Sequence, residues 1–182
     1  HIPTPDTSQK SEPQELFVGL LSELKVGILR HDAIFPDRDK ISSPNPFKSD
    51  REDSTDFNIE LLFAAPTTFP TRPHIGASIN MASHTNSLYA GMTWDRKWKT
   101  AIFLEGFIGG ALHDGRLRNA NPDRIEFGSR ILFRLGAELG WRFTEQHGIS
   151  LVWDHMSNAG ILDEKNQGID NLGIRYSYRL DN

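Results

Sequence analysis

Cysteine is absent from the 182-residue chain, which removes disulfides and thiolate metal sites and leaves the compartment open. Long apolar runs are missing too. No stretch reaches the ~18 consecutive apolar residues of a membrane helix, and the mean hydropathy is −0.46, so a helical span is excluded. A β-barrel span is not, because its strands are apolar on one side only and averaging erases that signal. Positive charge is in short supply: 20 Lys and Arg stand against 24 Asp and Glu, and the pI is near 6.0. That balance gives no basic footprint for nucleic acid. The opening "HIPTPDTSQKSEPQE" lacks the basic and apolar regions of a signal peptide and reads as a processed or trimmed mature end. Its Pro, Ser, Thr and charge predict a mobile tail over residues 1–15, with "LFVGLLS" as a lead-in, so that residues 1–22 precede the folded part.

What is present is alternation. From Glu23 onward the apolar period is two, the period of a strand with one apolar face. "ELKVGILRHD" sets Leu24, Val26 and Ile28 against Lys25, Gly27 and Leu29. "DFNIELLFA" sets Phe57, Ile59, Leu61 and Phe63 against Asn58 and Glu60, and "PHIGASINMA" and "SLYAGMTWD" behave alike. In "AIFLEGFIGGAL", Ile102, Leu104, Ile108 and Leu112 oppose a face holding Glu105. The longest row is in "ILFRLGAELGWRF", where Ile131, Phe133, Leu135, Ala137, Leu139, Trp141 and Phe143 oppose Arg134, Glu138 and Arg142.

With two strands in residues 148–180, this makes eight strands of bilayer-crossing length. The connections alternate between short ("APTTFPTRP", "DRKWK", "TEQHG") and longer polar ones (residues 32–56, 113–125 and 158–168), with "SHTNS" as the weak member. Short turns at one end and long loops at the other are the habit of outer-membrane barrels. The face opposite the apolar rows carries Lys25, Glu60, Glu105, Arg134, Glu138, Arg142, Arg175 and Arg179, opposite charges able to pair inside a narrow lumen. The fold class is therefore all-β, an eight-stranded antiparallel transmembrane barrel over residues 23–182. A soluble barrel of lipocalin type is the alternative.

One segment breaks the rule. In "GISLVWDHMSNAGILDEKNQGIDNLGIRYSYRL", the face of Ile149, Leu151 and Trp153 continues into His155 and Ser157. On the next strand the parity of Leu172, Ile174, Tyr176 and Tyr178 extends back to Asp170. A carboxylate, an imidazole and a hydroxyl thus gather on the lipid-facing side of adjacent strands. Unpaired there they cost free energy; paired, they form an acid, a base and a nucleophile. His-x-Ser alone is weak, and a polar rim at a strand end is its plain alternative. His31-Asp32 and His113-Asp114 read as loop hydrogen bonds rather than metal ligands. Asp163-Glu164-Lys165 reads as solvated surface, and Glu105 and Glu138 as lumen partners of Arg134, Arg142 or Arg175.

"DHMSNAG" followed by "GIDNLGIRYSYRL" resembles the lipid A 3-O-deacylase family, the PagL-type outer-membrane esterases. The resemblance runs upstream through "LKVGILRHD", "DFNIELLF", "LYAGMTWD", "FLEGFIGGALHDG" and "GSRILFRLGAELGWRFTE". It implies an eight-stranded barrel in the bacterial outer membrane, its site facing the outer leaflet, that removes the ester-linked 3-O acyl chain of lipid A. Lipid A or lipopolysaccharide is then the partner, with no metal or other cofactor, and a homodimer stays open. By the same resemblance Ser157 is the nucleophile, His155 the base and Asp170 the acid, where the best-known members carry Glu. Asn158 and the backbone N–H of Gly160 would form the oxyanion hole. The barrel wall would supply an acyl groove at Trp153, Leu172 and Ile174, although Trp153 also reads as an ordinary belt aromatic. The competing class is a barrel without hydrolysis, structural or partner-binding in role.

Overall fold

The alternating segments become eight antiparallel strands: β1 (Leu21–Ala33), β2 (Ser49–Phe63), β3 (Thr71–Asn80), β4 (Ser87–Lys97), β5 (Ile102–His113), β6 (Ile131–Arg142), β7 (His147–Ser157) and β8 (Ile169–Arg179). The structure is a computed structural model that describes residues 20–33, 49–65, 71–97, 100–118 and 124–180. The tail expected over residues 1–15 lies outside them. Each strand pairs with its sequence neighbour, and β1 closes on β8 from Glu23↔Arg179 to Arg30↔Leu172. Closure leaves no strand edge, which hydrocarbon requires because it cannot hydrogen-bond a free backbone group.

The faces fall as the alternation predicts. On β6, Ile131, Leu135, Leu139 and Trp141 point outward and are exposed, while Arg134 and Glu138 are fully buried in the lumen. The chain leaves β2, β4 and β6 at one end of the barrel, where the connections to the next strand are short, and β1, β3, β5 and β7 at the other. Two boundaries differ from expectation: β1 begins at Leu21, two residues before Glu23, and β2 begins at Ser49. The polar run 49–56, assigned above to a long loop, is instead the outer half of β2. Its inward side chains are held by hydrogen bonds from other elements. His31 bonds Asp56 at 2.8 Å and Glu52 at 3.2 Å, Thr85 donates to Glu52 at 2.8 Å, and Asn80 donates to Ser54 and Asp56.

The lumen is filled by side chains whose charges balance. Lys25, Arg72, Arg134, Arg142 and Arg175 face Glu23, Glu60, Glu105, Glu138 and Asp154. Lys25 bonds both Glu105 and Glu138. Arg175 reaches Glu138 at 3.1 Å and Glu60 at 3.4 Å; Arg72 joins Glu23 to Glu105. The expected Arg175–Glu138 pairing is present, whereas Glu105 takes Lys25 and Arg72. The Arg134 guanidinium lies 3.6 Å above the Tyr89 ring and 4.2 Å from that of Phe107, so its flat faces meet π-systems while its edge meets carboxylates. Burial at this depth is tolerable only because each ion has an opposite partner.

At the end with the longer loops, the chain between β5 and β6 folds back into the barrel mouth. Ile125 and Phe127 are buried there against Tyr89, Ala111, Leu132, Met156 and Ile169. This apolar plug is the platform on which the β7–β8 connection rests.

Candidate active site

β7 ends at Ser157 and β8 begins at Ile169, so the polar residues of the outward face meet at the top of one strand pair. His155 stands directly across the ladder from Asp170, the closest side-chain relation a sheet offers. Ser157, two residues on, shares its face. The result is a continuous relay: His155 Nδ1 lies 3.0 Å from Asp170 Oδ1 and His155 Nε2 lies 3.2 Å from Ser157 Oγ. With a carboxylate accepting from Nδ1–H, Nε2 is left as the acceptor for the serine hydroxyl. The side chains of His155 and Asp170 are 28% and 31% exposed: open enough for a substrate to reach, covered enough to keep their partners. Gly168 allows this closeness. A Cβ there would lie 3.0 Å from His155 Cε1 and 3.1 Å from the Ser157 Cβ.

Past Ser157 the chain turns at once. Ala159 and Gly160 have φ of 56° and 67°, and the Ile161 N–H donates to the Asn158 carbonyl at 3.1 Å, a type I′ turn. Asn158 is buried and holds this turn to its surroundings. Its Nδ2 donates to the carbonyls of Phe127 (2.7 Å) and Lys165 (2.6 Å), and its Oδ1 accepts the Gly160 N–H at 2.7 Å. The two expected oxyanion donors are therefore committed: the Asn158 amide to backbone carbonyls and the Gly160 N–H to Asn158 itself. Their visible task is to hold the nucleophile's loop in shape, with the Phe127 bond alone of the three reaching the plug. Sequence reasoning passed over Asn166, whose Oδ1 accepts the Asn158 N–H at 3.0 Å, which brings a second amide beside the backbone that follows Ser157. Its only signal in sequence was an Asn two residues before Gly168.

The three residues named for an acyl groove take separate places. Trp153 is half-buried and donates its indole N–H to Asp170 Oδ1 at 2.9 Å. Leu172 is its partner across the ladder. Ile174, one row further from the loops, lines a shallow apolar trough of about 500 Å³ with Ile102, Leu139, Trp141, Ile149 and Leu151. The discounted pairs form hydrogen bonds: His31 to the β2 carboxylates, His113 to the Ser129 carbonyl at 2.7 Å, and Asp114 to Asn86. Among the described residues no three His, Asp or Glu side chains converge as a metal site would need.

The sequence profile of the family described as lipid A 3-O-deacylase (PagL) matches residues 85–179, which is more than half of the chain and includes β4 to β8. The chain belongs to the lipid A 3-O-deacylase family. Like other members it is an outer-membrane barrel, and family and fold together support an enzyme that removes acyl chains from lipid A. The crystal structure of the outer membrane enzyme PagL is similar at a TM-score of 0.59 and 16% identity, over 86% of this chain and 99% of that one. The N-terminal barrel domain of Pseudomonas aeruginosa OprF is similar at 0.52 and 10%, over 86% and 98%. A de novo designed transmembrane β-barrel follows at 0.51 and 12%, over 87% and 96%. At such identities these three likenesses speak for the deacylase barrel's fold alone. No curated protein sequence matches the chain.

Proposed function

We propose that this protein hydrolyses the ester-linked 3-O acyl chain of lipid A with Ser157 as nucleophile, His155 as general base and Asp170 as the acid that orients it. One observation supports this most: the Ser157–His155–Asp170 relay lies on the outward face of the barrel, the face that otherwise meets hydrocarbon. A lipid-facing hydrolase suits a substrate that never leaves the membrane. The site sits at the end with the longer loops, which in outer-membrane barrels is the cell exterior, so the outer leaflet is where it works.

The chemistry follows from the relay. As Ser157 Oγ attacks the ester carbonyl carbon, its proton passes to His155 Nε2, and the positive ring is held against the Asp170 carboxylate. Collapse of the tetrahedral intermediate breaks the bond to the sugar oxygen, which takes the proton from Nε2 and becomes the free 3-hydroxyl. Water then gives a proton to Nε2 and its oxygen to the acyl carbon; the fatty acid leaves and Ser157 Oγ regains its proton. We assign the oxyanion donor to the NH₂ of Asn166, whose Oδ1 accepts the Asn158 N–H beside the nucleophile. The acyl chain runs from Ser157 past Trp153 and Leu172 toward the trough at Ile174.

The test is the mass of lipid A extracted from cells with and without the protein. Loss of one hydroxyacyl chain, abolished by Ser157→Ala with heat-modifiable gel migration intact, supports the reading. An unchanged mass with a folded barrel leaves the structural or partner-binding reading in its place.

A further inference from the structure

We propose that Trp153 is a positioning residue for this reaction, acting through Asp170, and not simply a wall for the acyl chain. The proposal rests on the triad reading above. Asp170 Oδ1 accepts two hydrogen bonds at once, from His155 Nδ1 at 3.0 Å and from Trp153 Nε1 at 2.9 Å. Trp153 lies opposite Leu172 in the ladder, so its ring reaches diagonally to the neighbouring outward residue. An aromatic at a membrane interface ordinarily turns its N–H to water or headgroups. This one turns it to a carboxylate.

The geometry explains why such a contact matters here. Asp170 is the second residue of β8 and about a third exposed, at a strand end where a lone carboxylate gains most by swinging toward the aqueous side. Two torsions would carry it off His155. The indole pulls from the opposite direction, since Trp153 is two residues nearer the middle of β7 than His155. Its ring packs 6.3 Å from the imidazole at a tilt of 33°, so imidazole and carboxylate are both held from the membrane side. Because an indole N–H donates and does not accept, it fixes the carboxylate without competing for the proton that His155 handles.

The purified full chain in mixed micelles of detergent and lipid A tests this, with kcat and KM followed over lipid A mole fraction. Trp153→Phe keeps an aromatic ring on the lipid face and removes the donor. Loss of a hydrogen bond to a charged group is expected to lower kcat roughly tenfold or more, with KM changed less than about twofold. In an Asp170→Ala background, followed by product mass over long incubation, the same substitution should cost nothing further, because the residue through which it acts is gone. A Trp153→Phe enzyme with wild-type kcat, a loss carried by KM, or equal fold-losses in both backgrounds would overturn the proposal and make Trp153 a groove wall. Ser157→Ala is run beside them. If it is inactive while Trp153→Phe is silent, only the role of Trp153 falls; if it is as active as the parent, the triad reading falls and takes this proposal with it.

Discussion

Asp170→Asn isolates the charge of the third triad member with almost no change of shape. In the parent, Oδ1 faces the protonated Nδ1 of His155 at 3.0 Å, with the pair about one-third exposed. When His155 takes the serine proton, an ion pair forms across that contact. At an effective dielectric constant between surface and interior values, the attraction is about 2 to 4 kcal/mol. Asn removes it in the transition state and leaves substrate contacts untouched. The amide can also turn its NH₂ toward Nδ1, which stabilises the tautomer that cannot accept from Ser157. The charge effect alone predicts a fall in kcat of about thirty- to a thousand-fold, with the tautomer effect adding to it and KM held within about twofold. The assay is initial release of fatty acid from lipid A in mixed micelles, with folding checked by heat-modifiable migration. A kcat within threefold of the parent would refute the reasoning and return Asp170 to a rim residue.

Three further perturbations separate the barrel from its chemistry. Lys25→Met leaves Glu105 with Arg72 alone and Glu138 with Arg175 among the cations. It is expected to cost about 3 kcal/mol, read as a lower urea midpoint, with part recovered by adding Glu105→Gln. Leu139→Arg places a charge on the outward face of β6, where Leu139 is 53% exposed between Leu104 and Leu151. It should destabilise folding into vesicles by about 2 to 4 kcal/mol. Asn158→Ala loses three side-chain hydrogen bonds, one tying the β7–β8 turn to the plug at Phe127 and two within the connection at Lys165 and Gly160, so protease should cut this loop faster while the barrel stays resistant. Asn166→Ala should instead slow turnover on the order of a hundredfold and, losing one loop hydrogen bond where Asn158→Ala loses three, raise the loop's protease sensitivity less.

The barrel was readable because two faces of each strand meet opposite solvents. The unbroken row from Ile131 to Phe143, set against Arg134 and Glu138, admits one register, since a slip of one residue would turn the charges into lipid. The same parity puts His155, Ser157 and Asp170 on one face of adjacent strands, where they meet. The outer half of β2 was not readable because Glu52, Ser54 and Asp56 are held by His31 of β1, Asn80 at the end of β3 and Thr85 in the β3–β4 connection. Local pattern therefore reads as loop. The hydrogen bonds of Asn158 were hidden for a related reason: its acceptors include the carbonyl of Phe127, 31 positions away, and the plug that delivers it has no periodic signature. The Trp153 donor was hidden because its parity fits a lipid-facing aromatic equally well, and only a distance tells the two apart.

The central claim, that an outward-facing serine is an activated nucleophile, is tested most directly by a lipid-soluble alkyl fluorophosphonate followed by peptide mass mapping. The account predicts one covalent adduct on the peptide holding Ser157, absent in Ser157→Ala and slowed at least a hundredfold in His155→Ala. A folded barrel that takes no adduct, or takes it on a different serine, would contradict it.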